Sequence, residues 1–491
     1  MEKTKITSSP SASIILAAGM GKRMKSELPK VLHEVCGEPM LIHVLRCVTA
    51  ATPEASIGIV VGHGKEKIIE LVTNHPEFKE RAKNRLIEFL VQPEQKGTGH
   101  AVRCAIETPW GEKLIQKQAT VLVLPGDLPL IPLSLVLEMS APVTKAQGLR
   151  ALTCELSDPT GYGRVIRARG KLQKIVEEKD SNATQKKINE VVASIYAFHA
   201  EFLKKELPKL KTKNIQGEYY LTDLVESASR AKKKIQTLIW KKEEDLRGVN
   251  DLWELSLAER IFQLRLVERH ARNGVRFTDP YSVAIEAQVE IQAGVKIHRG
   301  VVLRGKTRIG QGADIGSNCV LRNTIVGEGV QMKAGCYCED SEISDEVKIG
   351  PYANLRPESF IGRASKIGNF VELKKTRIGE ETSVAHLSYL GDAEVGSRVN
   401  IGCGFITCNF DGRVVNGSRK HKTTIGDDCF IGSDVQMVAP IEIHEGAYIA
   451  SGSTITKDVE ANALGIARAR QENKQGYASR LRGMSQSRKG S

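Results

Sequence analysis

Long apolar runs, paired cysteines and aromatic residues are scarce in this sequence, and each scarcity excludes something. No stretch reaches the ~20 apolar residues needed to span a bilayer, so no membrane insertion is expected. Aromatics make up only 5% of 491 residues, which argues against a large mixed core built on rings. The ten cysteines form no CxxC pair, and the closest spacing is Cys336-Tyr337-Cys338. A chain of this size needs no disulfides and the spacings match no zinc ribbon, so reduced thiols in a cytosolic protein are expected. A net charge of +13 raises the question of nucleic acid, yet no RNA- or DNA-binding motif accompanies it. Seven Lys or Arg against one Glu fall within residues 465–491, a basic tail that alone carries +6. Phosphate-rich small substrates account for the remaining charge as well as nucleic acid does, and no nucleic-acid partner is expected.

What is present is glycine, 44 of them, in a chain long enough for two or three domains. Lysines precede the short apolar run Ile14-Ile15-Leu16-Ala17-Ala18 in the manner of a signal peptide, but the run passes directly into Gly21-Lys22-Arg23 and reads as a first strand feeding a loop. Strand-like stretches at 13–16, 57–61, 86–91 and 120–124 alternate with helical stretches such as 39–50 and 100–107. That alternation predicts an α/β Rossmann-like domain over residues 1–250, a mostly parallel sheet covered by helices with ligands at the carboxyl ends of its strands. Residues 251–274 hold no Pro, and Leu252, Leu255, Leu257, Ile261, Leu264 and Val267 recur at helical spacing, which predicts a connecting helix.

Beyond it the period changes to six. Ile291, Ile297, Leu303, Ile309, Ile315 and Leu321 form one run, Ile343 to Leu373 a second and Ile425 to Ile455 a third; all eighteen positions are aliphatic or Met. Neither a 3.6-residue helix nor an alternating strand produces this, whereas a parallel β-helix over residues 275–465 does. The register breaks near 324–342 and 376–424, where loops or irregular coils are expected to leave the prism. Residues 466–491 form the basic tail, expected to be mobile. The repeats resemble the left-handed β-helix family, and the bland alternative is an inert trimerising stalk.

Two places carry chemistry. After the first strand comes Leu16-Ala17-Ala18-Gly19-Met20-Gly21-Lys22-Arg23, then Leu28-Pro29-Lys30. Glycines let backbone N–H groups turn toward phosphate oxygens, and the cations neutralise them. The wider pattern LAAGxGxRM…LPK resembles the signature of sugar-phosphate nucleotidyltransferases, which gives Arg23 and Lys30 triphosphate-binding roles. The segment QPEQKGTGH resembles a pyrimidine-reading one, with Gln92, Gly97 and Thr98 on uracil. Asp127, in a GDLPL context at a strand end, and Asn250 are the expected Mg²⁺ ligands, since a hard cation bridging phosphates needs few protein oxygens. The second place is His386, within HLSYLGDA. A lone His in a repeat is more often structural, but Arg356, Lys374, Tyr389, Asn400 and Lys420 form a polar, cationic set in otherwise aliphatic coils. Such a set could hold a sugar phosphate while His386 removes a proton from an attacking amine, with acetyl-CoA as the acyl donor.

Both halves together resemble a bacterial bifunctional family that joins glucosamine-1-phosphate N-acetyltransferase to N-acetylglucosamine-1-phosphate uridylyltransferase. Stretches such as LAAGMGKRM, QKGTGHA, PTGYGRVIR, GNFVELKK, HLSYLGDAEVGSRVNIGCG and IGSDVQMVAP carry the likeness, which runs from about Ser13 to Arg468. The resemblance implies acetylation of glucosamine 1-phosphate, then UMP transfer from UTP to N-acetylglucosamine 1-phosphate with release of pyrophosphate, feeding cell-wall synthesis from a cytoplasmic homotrimer. It adds Gly163 and Glu177 to the first site and lines an acetyl-CoA groove with Cys403, Asn409, Phe410, Ser433, Ser451 and Arg468. Two departures stand out. The family's Asn-Thr-Gly-Ile segment, whose Asn contacts the N-acetyl sugar, is Val192-Ala193-Ser194-Ile195 in this chain, and an insertion at 413–418 precedes Lys420. Two alternatives compete: another sugar-nucleotide pyrophosphorylase with a purely structural β-helix, and a non-catalytic regulatory subunit of the exchange-factor kind. The HLSYLGDAEVGSRVNIG stretch counts against the first, and the intact loop with Asp127 and Asn250 against the second.

Overall fold

The computed structural model describes residues 11–415 and 418–487 and divides into two compact units, Met1–Arg265 and Leu266–Ser491. In the first unit nine strands form one sheet: β1 (Ser11–Leu16), β2 (Ser56–Val61), β3 (Ile87–Val91), β4 (Thr120–Pro125), β5 (Leu149–Glu155), β6 (Arg164–Ala168), β7 (Lys171–Val176), β8 (Glu190–His199) and β9 (Gln236–Trp240). The main path runs β9-β5-β8-β4-β1-β2-β3, with β6 paired to β8 and β7. β1 pairs in parallel with both β2 and β4, so its carboxyl end opens at the middle of the sheet. β8 is antiparallel to β4 and β5. Ile14, Ile15, Val60, Val121, Leu122 and Val123 are all buried. Both faces of these strands are covered, which is why their sequences run continuously apolar rather than alternating.

Helix α1 (Met40–Ala51) buries Leu41, Ile42, Leu45 and Val48, and α2 (Thr98–Ile106) starts one residue after Gly97. The expected connecting helix is α3 (Leu252–Arg272). It is no free spacer, because most of it is docked on the first unit. Cys36 N donates to Glu259 Oε2 at 2.6 Å, the Phe262 ring lies 4.5 Å from His43, and Arg265 Nη1 donates to Leu130 O at 2.6 Å. The division between units falls inside this helix.

In the second unit short strands pair in parallel with those one coil on: Leu303 with Leu321, Leu321 with Cys338, Leu355 with Leu373. Of the eighteen six-period positions all are buried except the half-buried Ile291. A second buried stripe lies two residues earlier and holds small or β-branched residues, among them Val295, Thr307, Ala313, Cys319 and Ala353. Each buried aliphatic side chain contributes about 1.5–3 kcal/mol, repeated coil after coil.

The break at 324–342 does not expel a loop. Leu321, Val326, Met332, Cys338 and Ile343 continue the buried ladder, and the strands there pair in order. Two corners are each one residue short, and a hydroxyl in each bonds a backbone carbonyl of the next coil. Thr324 Oγ1 donates to Cys338 O at 3.2 Å and Ser341 Oγ to Arg356 O at 3.3 Å. Thr376, at another short corner, donates to Leu390 O at 3.0 Å. Within 376–424 the coils also continue, and the excursion is a hairpin of strands Phe410–Val415 and Ser418–Lys420. Val395 accordingly pairs with Ile425, where Ile378 pairs with Val395. Of the 413–418 insertion, residues 413–415 and 418 fall in these two strands, and residues 416 and 417 lie outside the described residues. The tail, expected to be mobile, contains a helix, Tyr477–Ser487; its last residues, 488–491, lie outside the described residues. No helix among the described residues is long and apolar enough to cross a membrane.

Two candidate active sites

The loop after β1 is held at its base by two backbone bonds. Ala17 N donates to Val60 O and Gly126 N to Leu16 O, both at 2.9 Å, which pins it between the carboxyl ends of β2 and β4. Gly21 has φ +60°, and a Cβ there would stand 2.8 Å from Lys30 Cβ. Only glycine lets the loop turn this tightly against Lys30. Every residue assigned to the first site, Leu16, Ala17, Ala18, Gly19, Arg23, Lys30, Gln92, Gly97, Thr98, Asp127, Gly163, Glu177 and Asn250, lines one cavity of about 870 Å³.

Within it the Lys30 ammonium lies against Asp127 Oδ2 and 3.3 Å from Asn250 Oδ1. The two oxygen-bearing residues are brought together by Val249 N, which donates to Asp127 O at 3.2 Å, and Asn250 N donates to Glu254 Oε2 at 2.5 Å. A cation is therefore accommodated between a carboxylate and an amide oxygen. Hard oxygen donors of this number suit Mg²⁺, which keeps most of its shell as water and substrate phosphate. Among the described residues no group of three or more His, Cys, Asp or Glu is placed to hold a metal ion.

The wall expected to face the base is built on Gly97, whose φ is +99°; a Cβ there would lie 2.7 Å from Tyr219 O. Thr98 Oγ1 accepts from Leu221 N at 3.1 Å, so its hydroxyl braces the next segment. Gln95, assigned no role from the sequence, donates through Nε2 to Ala18 O at 2.5 Å and ties this wall to the phosphate loop. It stands inside the quoted QPEQKGTGH motif, and only the fold reveals what it touches.

At the other end Glu177 is half-buried; burial pushes its carboxyl above the usual range, opposed by the Thr222 hydroxyl that donates to Oε1 at 2.8 Å. Nearby Asp223 is pushed up to about 6, first by burial and then by Glu226 and Asp180. Val192 is buried, and its N–H donates to Gly163 O at 3.0 Å. A Cβ on Gly163 would stand 3.2 Å from Val192 Cγ1 and 3.5 Å from Glu177 Oε2. The departure from the family pattern thus sits beside the two residues that the resemblance adds to the first site. Ser194, where the family has glycine, has φ +57° at a register shift of β8.

On the β-helix, Arg356, Lys374 and Tyr389 fall on consecutive coils of one face: Leu355 pairs with Leu373, Glu372 with Tyr389 and Lys374 with Gly391. Arg356 Nη1 donates to Glu372 Oε1 at 2.8 Å. His386 is exposed at the corner just before Tyr389, and its Nδ1 lies 2.6 Å from Asn369 Oδ1. An amide oxygen can only accept, so Nδ1 carries the proton and Nε2 keeps a free lone pair. Asn369 was missed from the sequence, although GNFVELKK contains it. Asn400 lies one coil on, paired with Ser383.

Asn409 Nδ2 donates to Asp392 Oδ2 at 2.6 Å, at the foot of the hairpin that carries Phe410 and Lys420. The Lys420 ammonium sits 4.6 Å above the Phe410 ring and lines a separate groove with Lys375 and Arg377, which His386 does not line. Cys403, Ser433, Ser451 and Arg468 form a column up successive coils. Asp434 N donates to Cys403 O at 2.7 Å, Ser433 N to Ser451 Oγ at 3.2 Å and Arg468 Nη1 to Ser451 O at 3.0 Å.

Comparison with known proteins matches both units. A family model described as a MobA-like NTP transferase domain covers residues 13–182, and one described as bacterial transferase hexapeptide (six repeats) covers residues 422–457, in keeping with a left-handed parallel β-helix. The protein of Alkaliphilus metalliredigens (strain QYMF) named bifunctional protein GlmU is 44% identical over 473 residues, 95% of this chain and 98% of that one. Proteins of the same name from Clostridium botulinum (strain ATCC 19397 / Type A) and Clostridium perfringens (strain ATCC 13124) are 41% and 42% identical, covering 95% of this chain and 97% and 98% of theirs.

Proposed function

Because the chain belongs to the GlmU family of bifunctional proteins, we propose that it makes UDP-N-acetylglucosamine in two steps, one on each unit. On the β-helix the amine of glucosamine 1-phosphate attacks the thioester carbonyl of acetyl-CoA. His386 Nε2 takes the amine proton, the C–S bond breaks, and coenzyme A leaves as the thiolate. Asn369 holds the tautomer that frees Nε2 for this. Arg356, Lys374, Tyr389, Asn400 and Lys420 hold the sugar phosphate, and the column from Cys403 to Arg468, with Asn409 and Phe410, carries acetyl-CoA. Lys420 lines a groove apart from His386 within one chain, which supports a homotrimer in which copies complete one another's sites.

On the first unit an oxygen of N-acetylglucosamine 1-phosphate attacks the α-phosphorus of UTP, and the bond to the β-phosphate oxygen breaks to release pyrophosphate. The attacking oxygen is already anionic at neutral pH, so no base is needed, and alignment with charge screening does the work. Arg23, Lys30 and the glycine loop hold the triphosphate; Gln92, Gly97 and Thr98 hold the base; Gly163 and Glu177 hold the sugar. Asp127 and Asn250 would hold Mg²⁺, which supplies charge neutralisation between the two phosphate groups. The observation that carries the reading is the Lys30 ammonium lodged between Asp127 and Asn250 in the cavity of the glycine loop.

The test is to assay the purified chain and two variants for both half-reactions. His386→Ala should abolish acetylation of glucosamine 1-phosphate and spare uridylyl transfer, and Asp127→Ala should do the reverse. Equal loss of both activities in a folded variant sinks the two-site assignment.

A further inference from the structure

We propose that His100, together with the Gly97 carbonyl, fixes the hydrogen-bonding polarity of Gln92 and so makes the base pocket accept uracil and refuse cytosine; this rests on the uridylyl-transfer reading of the first site. Gln92 follows β3, is buried and lines the cavity. A primary amide can present either its oxygen or its NH₂ to a ligand, and the two choices read opposite bases. The surroundings allow one. Gln92 Nε2 lies 3.2 Å from Gly97 O and 3.2 Å from His100 Nδ1. A backbone carbonyl only accepts, so the atom facing Gly97 is the NH₂. The same nitrogen faces His100, whose Nδ1 must then be the bare, accepting nitrogen.

A neutral imidazole with a bare Nδ1 carries its proton on Nε2. That N–H points at Cys104 Sγ, 3.5 Å away and one helical turn along α2. Burial pushes the Cys104 thiol up, so the sulfur stays neutral and serves as a weak acceptor. His100 is itself buried, with the Tyr219 ring 6.2 Å from its own. Both N–H groups of the Gln92 amide are thereby consumed inside the protein. Its Oε1 takes no hydrogen bond among the described residues, and an amide oxygen can only accept. A base with an N–H on the edge that meets it, as uracil has at N3, is matched. Cytosine presents a bare N3 there and sets lone pair against lone pair. His100 thus acts through Gln92, as a positioning residue for base choice.

The experiment compares kcat/KM for UTP and CTP, with N-acetylglucosamine 1-phosphate as acceptor, in the full-length chain. The wild type should prefer UTP. His100→Leu removes one of the two acceptors that pin the amide, leaving the Gly97 carbonyl alone, and the UTP/CTP ratio should fall about tenfold or more, through KM for UTP, with kcat within about threefold. His100→Asn can turn an oxygen toward the Gln92 NH₂ and should keep the ratio within about threefold. Cys104→Ala releases the ring to its other tautomer and should lower the ratio by about two- to threefold. A merely structural His100 would slow both nucleotides equally and leave the ratio alone. Acetyl transfer by the same preparations reports on the rest of the chain. An unchanged ratio in whichever of His100→Leu and Cys104→Ala folds overturns the proposal alone. A wild type that turns over neither nucleotide overturns the uridylyl-transfer reading and this proposal with it.

Discussion

Asn369→Asp should move the acid limb of the acetyl-transfer pH profile upward while leaving uridylyl transfer untouched. In the wild type a neutral amide oxygen sits 2.6 Å from His386 Nδ1. Aspartate keeps the acceptor and adds a negative charge beside the ring. Two unit charges ~4 Å apart attract by about 1 kcal/mol in a water-like medium and about 4 kcal/mol at an effective dielectric near 20. His386 is exposed, so the water-like limit governs, and about 1 kcal/mol corresponds to about 0.7 pH unit. The sign follows from the charge: aspartate favours imidazolium, so the base stays protonated to higher pH and activity returns only above it. Asn369→Ala removes one hydrogen bond worth about 1 kcal/mol and adds no charge. It should lower kcat about fivefold with the limb unmoved. The assay follows free coenzyme A thiol released from acetyl-CoA with glucosamine 1-phosphate, read as kcat/KM across a pH series for wild type and variant side by side. An acid limb that stays put in Asn369→Asp, with uridylyl transfer intact, would show that His386 is not the group titrating and would remove it as the base.

Three further outcomes are expected. Val192→Asn restores a polar group beside Gly163 and Glu177, and KM for N-acetylglucosamine 1-phosphate should fall about five- to tenfold; a KM that rises or holds would show the sugar is bound without this position. Gly97→Ala imposes a left-handed conformation on a residue with a Cβ 2.7 Å from Tyr219 O, a strain of about 1–3 kcal/mol. KM for UTP should rise about tenfold or more with acetyl transfer unchanged, as steady-state rates of both reactions will show. His270 is buried, and burial holds its imidazole down to about 4 with Arg269 adding to the effect. The folded chain therefore keeps it neutral while the unfolded chain protonates it at about 6.5, so its contribution to stability is present above about pH 6.5 and lost as pH falls toward 4. Allowing for solvent screening, the loss is on the order of 1–2 kcal/mol. Calorimetric melts of wild type and His270→Leu at two pH values should differ in their acid sensitivity, and equal sensitivity refutes the assignment.

The parts of this molecule legible in the sequence are those set by local repetition or by a loop's own chemistry. The eighteen aliphatic positions could be counted because each coil buries its residue against an equivalent one, so the period is written along the chain. The glycines of the first loop could be read because close approach to Lys30 excludes a side chain at Gly21. The register breaks misled for a physical reason. Losing one residue from a corner looks the same, in a count of six, as a loop leaving the prism. The difference lies in whether the strands on either side keep pairing coil to coil, which they do. Thr324, Ser341 and Thr376 each bond a carbonyl of the next coil from two residues before an aliphatic position, but Ser365 and Thr382 do the same at full corners, so no single residue type marks a short corner.

The residues that set tautomers and amide polarity were illegible for a different reason. Asn369 reaches His386 across paired strands, and its partner's identity depends on coil stacking rather than on any local pattern. Gln92, Gly97 and His100 are close in sequence, yet what decides the reading is which atom of an amide faces a carbonyl, and the letter Q carries no such direction. The same limit explains Val192. From sequence it is a lost hydrogen bond; in the fold it is also a buried apolar contact whose backbone holds Gly163 in place. A substitution at a sugar-facing position can thus remove specificity while reinforcing the wall that presents the remaining groups. Val192→Asn therefore acts on two terms of opposite sign, and substrate KM and thermal stability must be measured on the same preparation to separate them.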